Sequence, residues 1–238
     1  MYQYHHERPT ANFYFDVARG NMYDAEAVNI FGFNRLVGTA FETLWNDGGN
    51  YVFPTSAVAM SVVSSSASDT MQVLISGLDA DYKAVTEIVT LTGTTPVVGT
   101  QAFLRINSAV ILQGSNVGGI SITNGGTKYA FIEAGLGATQ SCIYTVPAGH
   151  SLFLVRIDCN SATVNPNKYL TIRNVVGSSN GRQLKVAEAT FAVSQVSYDR
   201  QIPFKITEKS DFQFQAKSSS GENEVAIFVE AILCRDDY

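Results

Sequence analysis

The stretch MQVLISGLDADYKAVTEIVTLTGTTPVVGTQAFLRINSAVIL, residues 71–112, decides the fold. Met71, Val73 and Ile75 alternate with Gln72, Leu74 and Ser76, and Gly77-Leu78-Asp79-Ala80-Asp81 ends the run. Val85, Ile88 and Leu91 mark a second run, closed by Gly93-Thr94-Thr95-Pro96, and Phe103, Ile106, Val110 and Leu112 mark a third. Apolar residues at every second position put one face of an extended chain in a core and leave the other in water. Gly, Asp and Pro between the runs turn the chain back. The stretch predicts three half-buried antiparallel strands.

The same grammar extends in both directions. Upstream, Val58–Val63 reads as a strand and Ser64–Asp69 as a loop. Downstream, Gly119–Thr123 and Lys128–Ile132 flank Asn124-Gly125-Gly126, the pattern of a hairpin. Further runs follow at 141–146, 152–159, 169–175, 184–196, 202–206, 212–216 and 225–234, each bounded by turn residues. Strands recurring at this spacing, with no convincing helical period, predict an all-β chain of β-sandwich or jelly-roll type. The small residues of Glu133–Gln140 are the expected seam. The expected organisation is therefore an extended arm over residues 1–50 followed by two jelly-roll-like β-sandwich domains, over 51–135 and 136–238. A single larger sandwich is the alternative.

Residues 1–50 differ from the rest. They carry Tyr2, Tyr4, Phe13, Tyr14, Phe15, Tyr23, Phe31, Phe33, Phe41 and Trp45 without clean alternation. Rings at this density leave a large exposed patch unless they are covered. The reading is an extended docking arm whose interface residues are Tyr4, Phe13, Tyr14, Phe15, Phe31, Phe33, Phe41 and Trp45. Packing on its own domain is the alternative.

Composition narrows the function classes. Charged residues are only 16% of the chain, against roughly 25% in ordinary soluble domains, so its surfaces are rich in hydroxyls or covered by partners. The net charge of −5 and the absence of a basic cluster argue against a nucleic-acid surface. No apolar run is long enough for a membrane helix, and the first 20 residues lack the apolar centre of a signal peptide, which leads to the expectation of a protein made in a cytoplasm. Cys142, Cys159 and Cys234 lie in apolar runs and read as buried free thiols, although Cys142 and Cys159 could pair.

Few residues suggest chemistry. Asp79 and Asp81, two apart in a loop, could hold Ca²⁺ with backbone carbonyls. The competing and preferred reading is an Asx turn, in which the carboxylate accepts backbone N–H groups. His5 and His6 beside Glu7 read as a solvated terminal pair, and His150 as a turn residue. No nucleophile elbow and no phosphate cradle is present, so no cofactor and no catalytic residue is expected. Tyr129, Tyr169 and the loop Asn160–Asn167 are the candidates for contact with a glycan.

Several segments, in order, carry a resemblance. They are FDVARGN (15–21) followed by NIFGFN (29–34), FETLWNDGG (41–49), VSSSASDT (63–70), GLDADY (77–82), VTLTGTTPV (89–97) and YTVPAG (144–149). Through these, most of residues 13–155 resembles virion structural proteins of tailed bacteriophages, a tail-fibre-like or head-decoration-like group often from aquatic phages. Arg35-Leu36-Val37 and a short 64–77 segment depart from the pattern. The resemblance implies a non-enzymatic particle component: an exterior β protein of the capsid decoration or the tail apparatus, an oligomer, and by analogy a homotrimer. Its partners would be other virion proteins. A glycan-binding host-recognition module is the alternative reading, and a polysaccharide hydrolase with two carboxylates across a cleft is the third.

Overall fold

A computed structural model describes residues 12–162, 168–177 and 183–236. Among the described residues one short helix, α1 (Phe13–Ala18), precedes sixteen strands. They are β1 (Ala25–Val37), β2 (Glu42–Thr43), β3 (Val58–Ser64), β4 (Gln72–Leu78), β5 (Ala84–Thr90), β6 (Val97–Phe103), β7 (Arg105–Ile111), β8 (Ile120–Asn124), β9 (Thr127–Ile132) and β10 (Ile143–Thr145). They continue with β11 (His150–Ser161), β12 (Leu170–Gly177), β13 (Gln183–Phe191), β14 (Gln195–Ile206), β15 (Asp211–Ser218) and β16 (Asn223–Arg235). The chain is all-β, built of antiparallel sheets, as its alternation predicts.

The opening stretch contributes four strands where three runs were expected. β4 pairs antiparallel with β5 on one side and β7 on the other. β6 belongs to a different sheet, ordered β6-β3-β8-β9. The third run is therefore divided at Leu104, whose N–H bonds to the Leu78 carbonyl while the chain steps between sheets. No Gly or Pro marks this step, which is why the sequence reads as one strand. The inner faces of the two sheets share Met60, Val62, Val73, Ile75, Val89, Leu91, Phe103, Ile120, Ile122 and Ile132 as one core. Between β8 and β9 the turn is Gly125-Gly126, both at positive φ, with Asn124 opposite Thr127; this is the two-residue hairpin turn that glycine permits.

The remaining strands form a jelly roll. One sheet runs β1-β16-β11-β14 and the facing sheet β10-β15-β12-β13, with β2 also on β15. On β15, Thr43 of β2 opposes Gln215 and Ile143 of β10 opposes Gln213. Phe214 between them is bonded to both: its carbonyl accepts the Leu44 N–H, and its N–H donates to the Cys142 carbonyl. β2 and β10 are thus two halves of one strand. Counted so, the unit has eight strands, with the first beside the eighth, the second beside the seventh, the third beside the sixth and the fourth beside the fifth. That pairing is what a long antiparallel ribbon gives when it is rolled into two facing sheets. The unit spanning β3 to β9 is inserted into the second strand of the roll, leaving at Leu44 and returning at Cys142.

The roll's core draws Ile30, Leu152, Leu154, Ile157, Cys159, Val225, Ile227 and Val229 from one sheet and Leu44, Cys142, Leu170, Ile172, Phe212, Phe214 and Ala216 from the other. A register shift between Leu154 and Arg156 moves the buried positions of β11 from 152 and 154 to 157 and 159, the effect of a β-bulge. All three cysteines are free thiols, and burial pushes Cys159 up to about 12 and Cys142 higher still.

The expected arm over residues 1–50 requires correction. Residues 25–37 form β1, bonded to β16 from Ala25–Cys234 through Val37–Asn223, and Ile30, Val37 and Leu44 lie in the roll's core. Val28, Ile30, Phe31 and Phe33 do not alternate cleanly, and their strand finds its partner 200 residues away, which local sequence could not announce. Residues 1–11 lie outside the described residues. Ala25–Val28 is strand, and the helical segment lies earlier, where the Asn12 side chain caps the Phe15 N–H. The run expected at 184–196 divides into β13 and the start of β14, which continues through the expected 202–206 strand.

The Ser64–Asp69 loop ties the inserted unit together. The buried Asp69 carboxylate accepts from the Ser64 hydroxyl at 2.5 Å and from the Val117 and Gly118 N–H groups at 2.8 and 2.9 Å. Burial opposes ionisation of Asp69, but these three donors outweigh it and hold its carboxyl below the usual carboxylate range. A depressed folded-state value stabilises the protein above the unfolded value of about 4, and the benefit is lost as pH falls through the folded value. Asp69→Asn is therefore expected to flatten the acid slope of stability and to cost about 1–3 kcal/mol at neutral pH. Urea unfolding between pH 3 and 7 checks this; an unchanged acid slope would contradict it.

Candidate assembly surface

The aromatic residues of the first 50 positions divide into two groups. On α1, Phe13, Tyr14 and Phe15 are 47%, 55% and 51% exposed, while Asp16 and Val17 face inward. A helix with 3.6 residues per turn cannot bury three consecutive rings together with Val17. Phe13 and Tyr14 meet edge to face at 5.6 Å, and Arg19 lies over the Phe15 ring. On β1, Phe31 is 39% exposed and Leu36 60%. β1 is an end strand of its sheet, and its outer edge has no strand partner among the described residues. The helix packs beside this strand. The exposed rings thus belong to two elements in contact, α1 and β1, and the second of these is an end strand.

The second group is internal. Phe33 is buried under the Arg35 guanidinium at 4.8 Å and near Phe31 at 6.2 Å. Trp45 is buried in a T-shaped series with Tyr51 and Phe53. Phe41 lies between the Arg173 guanidinium at 3.8 Å and the Lys217 ammonium at 4.7 Å. Of the eight expected interface residues, Phe13, Tyr14, Phe15 and Phe31 are available to a partner. Phe33 and Trp45 are not, Phe41 is partly covered by cations, and Tyr4 lies outside the described residues.

Asp79 and Asp81 take the turn geometry. Asp79 Oδ1 accepts the N–H groups of Asp81 at 2.8 Å and Lys83 at 2.9 Å, and Asp81 lies 3.6 Å from Lys83 Nζ. Tyr82 adopts φ 63 inside the turn. Among the described residues no three His, Cys, Asp or Glu side chains gather into a metal set. His150 is half-buried, its Nδ1 2.9 Å from the Ala148 carbonyl; His5 and His6 lie outside the described residues. Of the glycan candidates, Tyr129 packs partly against the core of the inserted unit, Tyr169 is exposed, and Asn160–Asn167 lies partly outside the described residues.

Sequence reading missed the residues that lock the two units together. Arg105 opens β7 in the insert, and Asp211 opens β15 in the roll. The guanidinium donates through Nε to Asp211 Oδ1 at 2.7 Å and through Nη2 to Oδ2 at 2.9 Å. Its Nη1 donates to the Pro54 and Leu104 carbonyls, both at 2.8 Å. Thr145 donates its hydroxyl to Asp211 at 2.7 Å, and Asn107 exchanges two hydrogen bonds with the Thr145 backbone. Phe53 and Tyr82 place their rings 5.1 and 5.7 Å from the guanidinium carbon. Burial alone would pull Arg105 down, but the hydrogen bonds and charge of Asp211 hold it above its ordinary value. Beside this pair, burial raises the Tyr51 phenol, whose hydroxyl donates to the Tyr129 carbonyl at 3.0 Å. The one available signal was Arg105 itself, a lone charge between Leu104 and Ile106 in an apolar run. Arg35 adds a more exposed bridge to Glu133 at 3.1 Å, and Lys128 adds another to Asp47.

Comparison with family models finds no match, and no curated protein matches the chain. Among solved structures, the chain is similar to that of infectious bursal disease virus Gx strain, with a TM-score of 0.24 and 10% identity, covering 89% of this chain and 73% of that one. It is also similar to the infectious bursal disease virus VP2 subviral particle, with a TM-score of 0.23 and 8% identity over 89% and 77% of the two chains. At these scores the superposition assigns no fold and no role, and the architecture above rests on the strand pairing itself.

Proposed function

We propose that this chain is a non-enzymatic structural subunit of a tailed-phage virion, an exterior oligomeric β protein of the capsid decoration or the tail apparatus. The observation that carries the reading is the exposure of Phe13, Tyr14, Phe15 and Phe31 on two elements in contact, α1 and β1, of which β1 is an end strand with no second strand partner among the described residues. Aromatic residues concentrate at the buried centres of protein interfaces, and an open edge offers main-chain hydrogen bonds to a neighbour. The sequence resemblance to phage virion proteins, the low charge content and the jelly-roll wrapping support it; jelly rolls serve viral capsid and lectin domains alike. The function is assembly: this side docks on neighbouring subunits, with a homotrimer as the expected state, while the insert projects from the roll through its Arg105–Asp211 lock.

The test is a triple substitution, Phe13→Ser, Tyr14→Ser and Phe15→Ser, which leaves both cores intact. Sedimentation of the purified variant is expected to show at least a tenfold weaker self-association or partner association, with an unchanged circular dichroism spectrum. Incorporation into particles is expected to fail. Normal incorporation of the variant would refute the reading. Deleting residues 1–40 is not an equivalent test, because it removes β1 and the core residues Ile30 and Val37. Host-glycan binding is a second reading, favoured by the exposed Tyr169 beside the loop end at Ser219, whose hydroxyl accepts the Tyr169 N–H at 2.8 Å. Saturable binding on a glycan array would support it.

A further inference from the structure

The side of the roll away from β1 has end strands of its own. There β13 and β14 are the end strands of facing sheets, and neither has a second strand partner among the described residues. Between them lies a cavity of about 150 Å³, lined by Ile172, Asn174, Ala187, Tyr198, Arg200 and Phe214 and bordered by two charges with partners of their own, Arg173 on Gln215 at 2.7 Å and Glu188 on Lys185 at 3.3 Å. Its walls are chiefly apolar, but two of its buried polar atoms have no hydrogen-bond partner among the described residues: Asn174 Oδ1 and Arg200 Nε. Asn174 is 3% exposed, in the middle of β12 opposite Ala187 and Phe214. An amide at that position, on the inner face where Leu170 and Ile172 precede it, costs stability unless something satisfies it.

The two atoms define the chemistry of an occupant. Asn174 Oδ1 asks for a donor, and Arg200 Nε–H asks for an acceptor. A hydrocarbon answers neither. An anion suits the arginine and is repelled by the carbonyl oxygen, and a cation does the reverse. One neutral hydroxyl does both, and it does so in either orientation of the Asn174 amide. The volume equals that of an apolar protein cavity that accepts a single six-membered ring. We propose that this cavity is a binding site for a small neutral molecule or group that carries one hydroxyl on an apolar body, of which phenol is the simplest form. The site lies on the opposite side of the roll from the assembly surface and does not depend on that reading.

The experiment is a phenol titration of the full chain followed by backbone amide NMR, with benzene and benzoate as comparison probes. Saturable shifts are expected at Asn174, Ala187, Ala189 and Tyr198, with a Kd on the order of 1 mM for a ligand of this size. Benzene and benzoate are each expected to bind about tenfold more weakly. Asn174→Leu should bring phenol down to the affinity of benzene, and Arg200→Met, at a less buried position, should do the same if the first variant fails to fold. Equal affinity for benzene and phenol would reduce the site to an apolar void and overturn the proposal. Absence of saturable binding up to about 20 mM, well above that expected Kd, would mean that water alone fills the gap, and would also overturn it.

Discussion

Arg105→Met is expected to lower the midpoint of thermal unfolding by roughly 10 °C. The substitution keeps the length of the side chain but leaves the Asp211 carboxylate without its bidentate partner at the junction of the two units. It also leaves the Pro54 and Leu104 carbonyls without their donor. Breaking a buried pair from one side costs about 3–5 kcal/mol, because the surviving charge stays desolvated. A degree of midpoint shift in a chain of this size corresponds to a few tenths of a kcal/mol, which sets the expected drop. Replacing both partners, Arg105→Met with Asp211→Leu, removes the orphaned charge and is expected to recover most of the loss. The single variant should also separate the unfolding of insert and roll into two transitions, seen by calorimetry. A single variant that costs under about 1 kcal/mol would show that the pair does not hold the units together.

Gly32→Ala is expected to damage the fold severely through a single methyl group. A Cβ at this position would sit 2.1 Å from the Cys142 nitrogen and 2.4 Å from the Leu44 oxygen. Those two atoms are themselves joined by a 2.7 Å hydrogen bond, which closes the gap where the insert leaves and re-enters its strand. Both obstacles are backbone, so no side-chain rotation relieves the clash. The roll must open at its seam, and a loss above about 4 kcal/mol or failure to fold is expected. Gly48→Ala is the comparison. Gly48 has φ +76 and open space around it, so its variant bears only the left-handed backbone cost of about 1–2 kcal/mol. Soluble yield and denaturant unfolding of the two variants check the contrast; equal stabilities would remove the close approach as a determinant of the fold.

Alternation along residues 71–112 and its echoes downstream were sufficient to establish an all-β chain, because the period of two is a local property of each strand. The Asx turn at Asp79 was legible for the same reason: its donors lie two and four residues away. The aromatic weight of the first 50 residues was legible as composition, but its division was not. Phe13, Tyr14 and Phe15 differ from Phe33 and Trp45 only in what the fold places over them.

The sequence by itself therefore determined most strands beyond residue 50, most turns and the aromatic weight of the first 50 residues, since these follow from neighbours along the chain. Tertiary structure alone decided that residues 25–37 are the first strand of a jelly roll whose last strand ends at residue 235. It also decided that the unit from β3 to β9 interrupts the second strand of that roll, that Arg105 meets Asp211, and that Asn174 faces an apolar cavity. Each of these joins residues some 13 to 200 positions apart. Their energies come from burial, pairing and desolvation between such segments, and the local pattern of polar and apolar residues does not encode which distant segment supplies the partner.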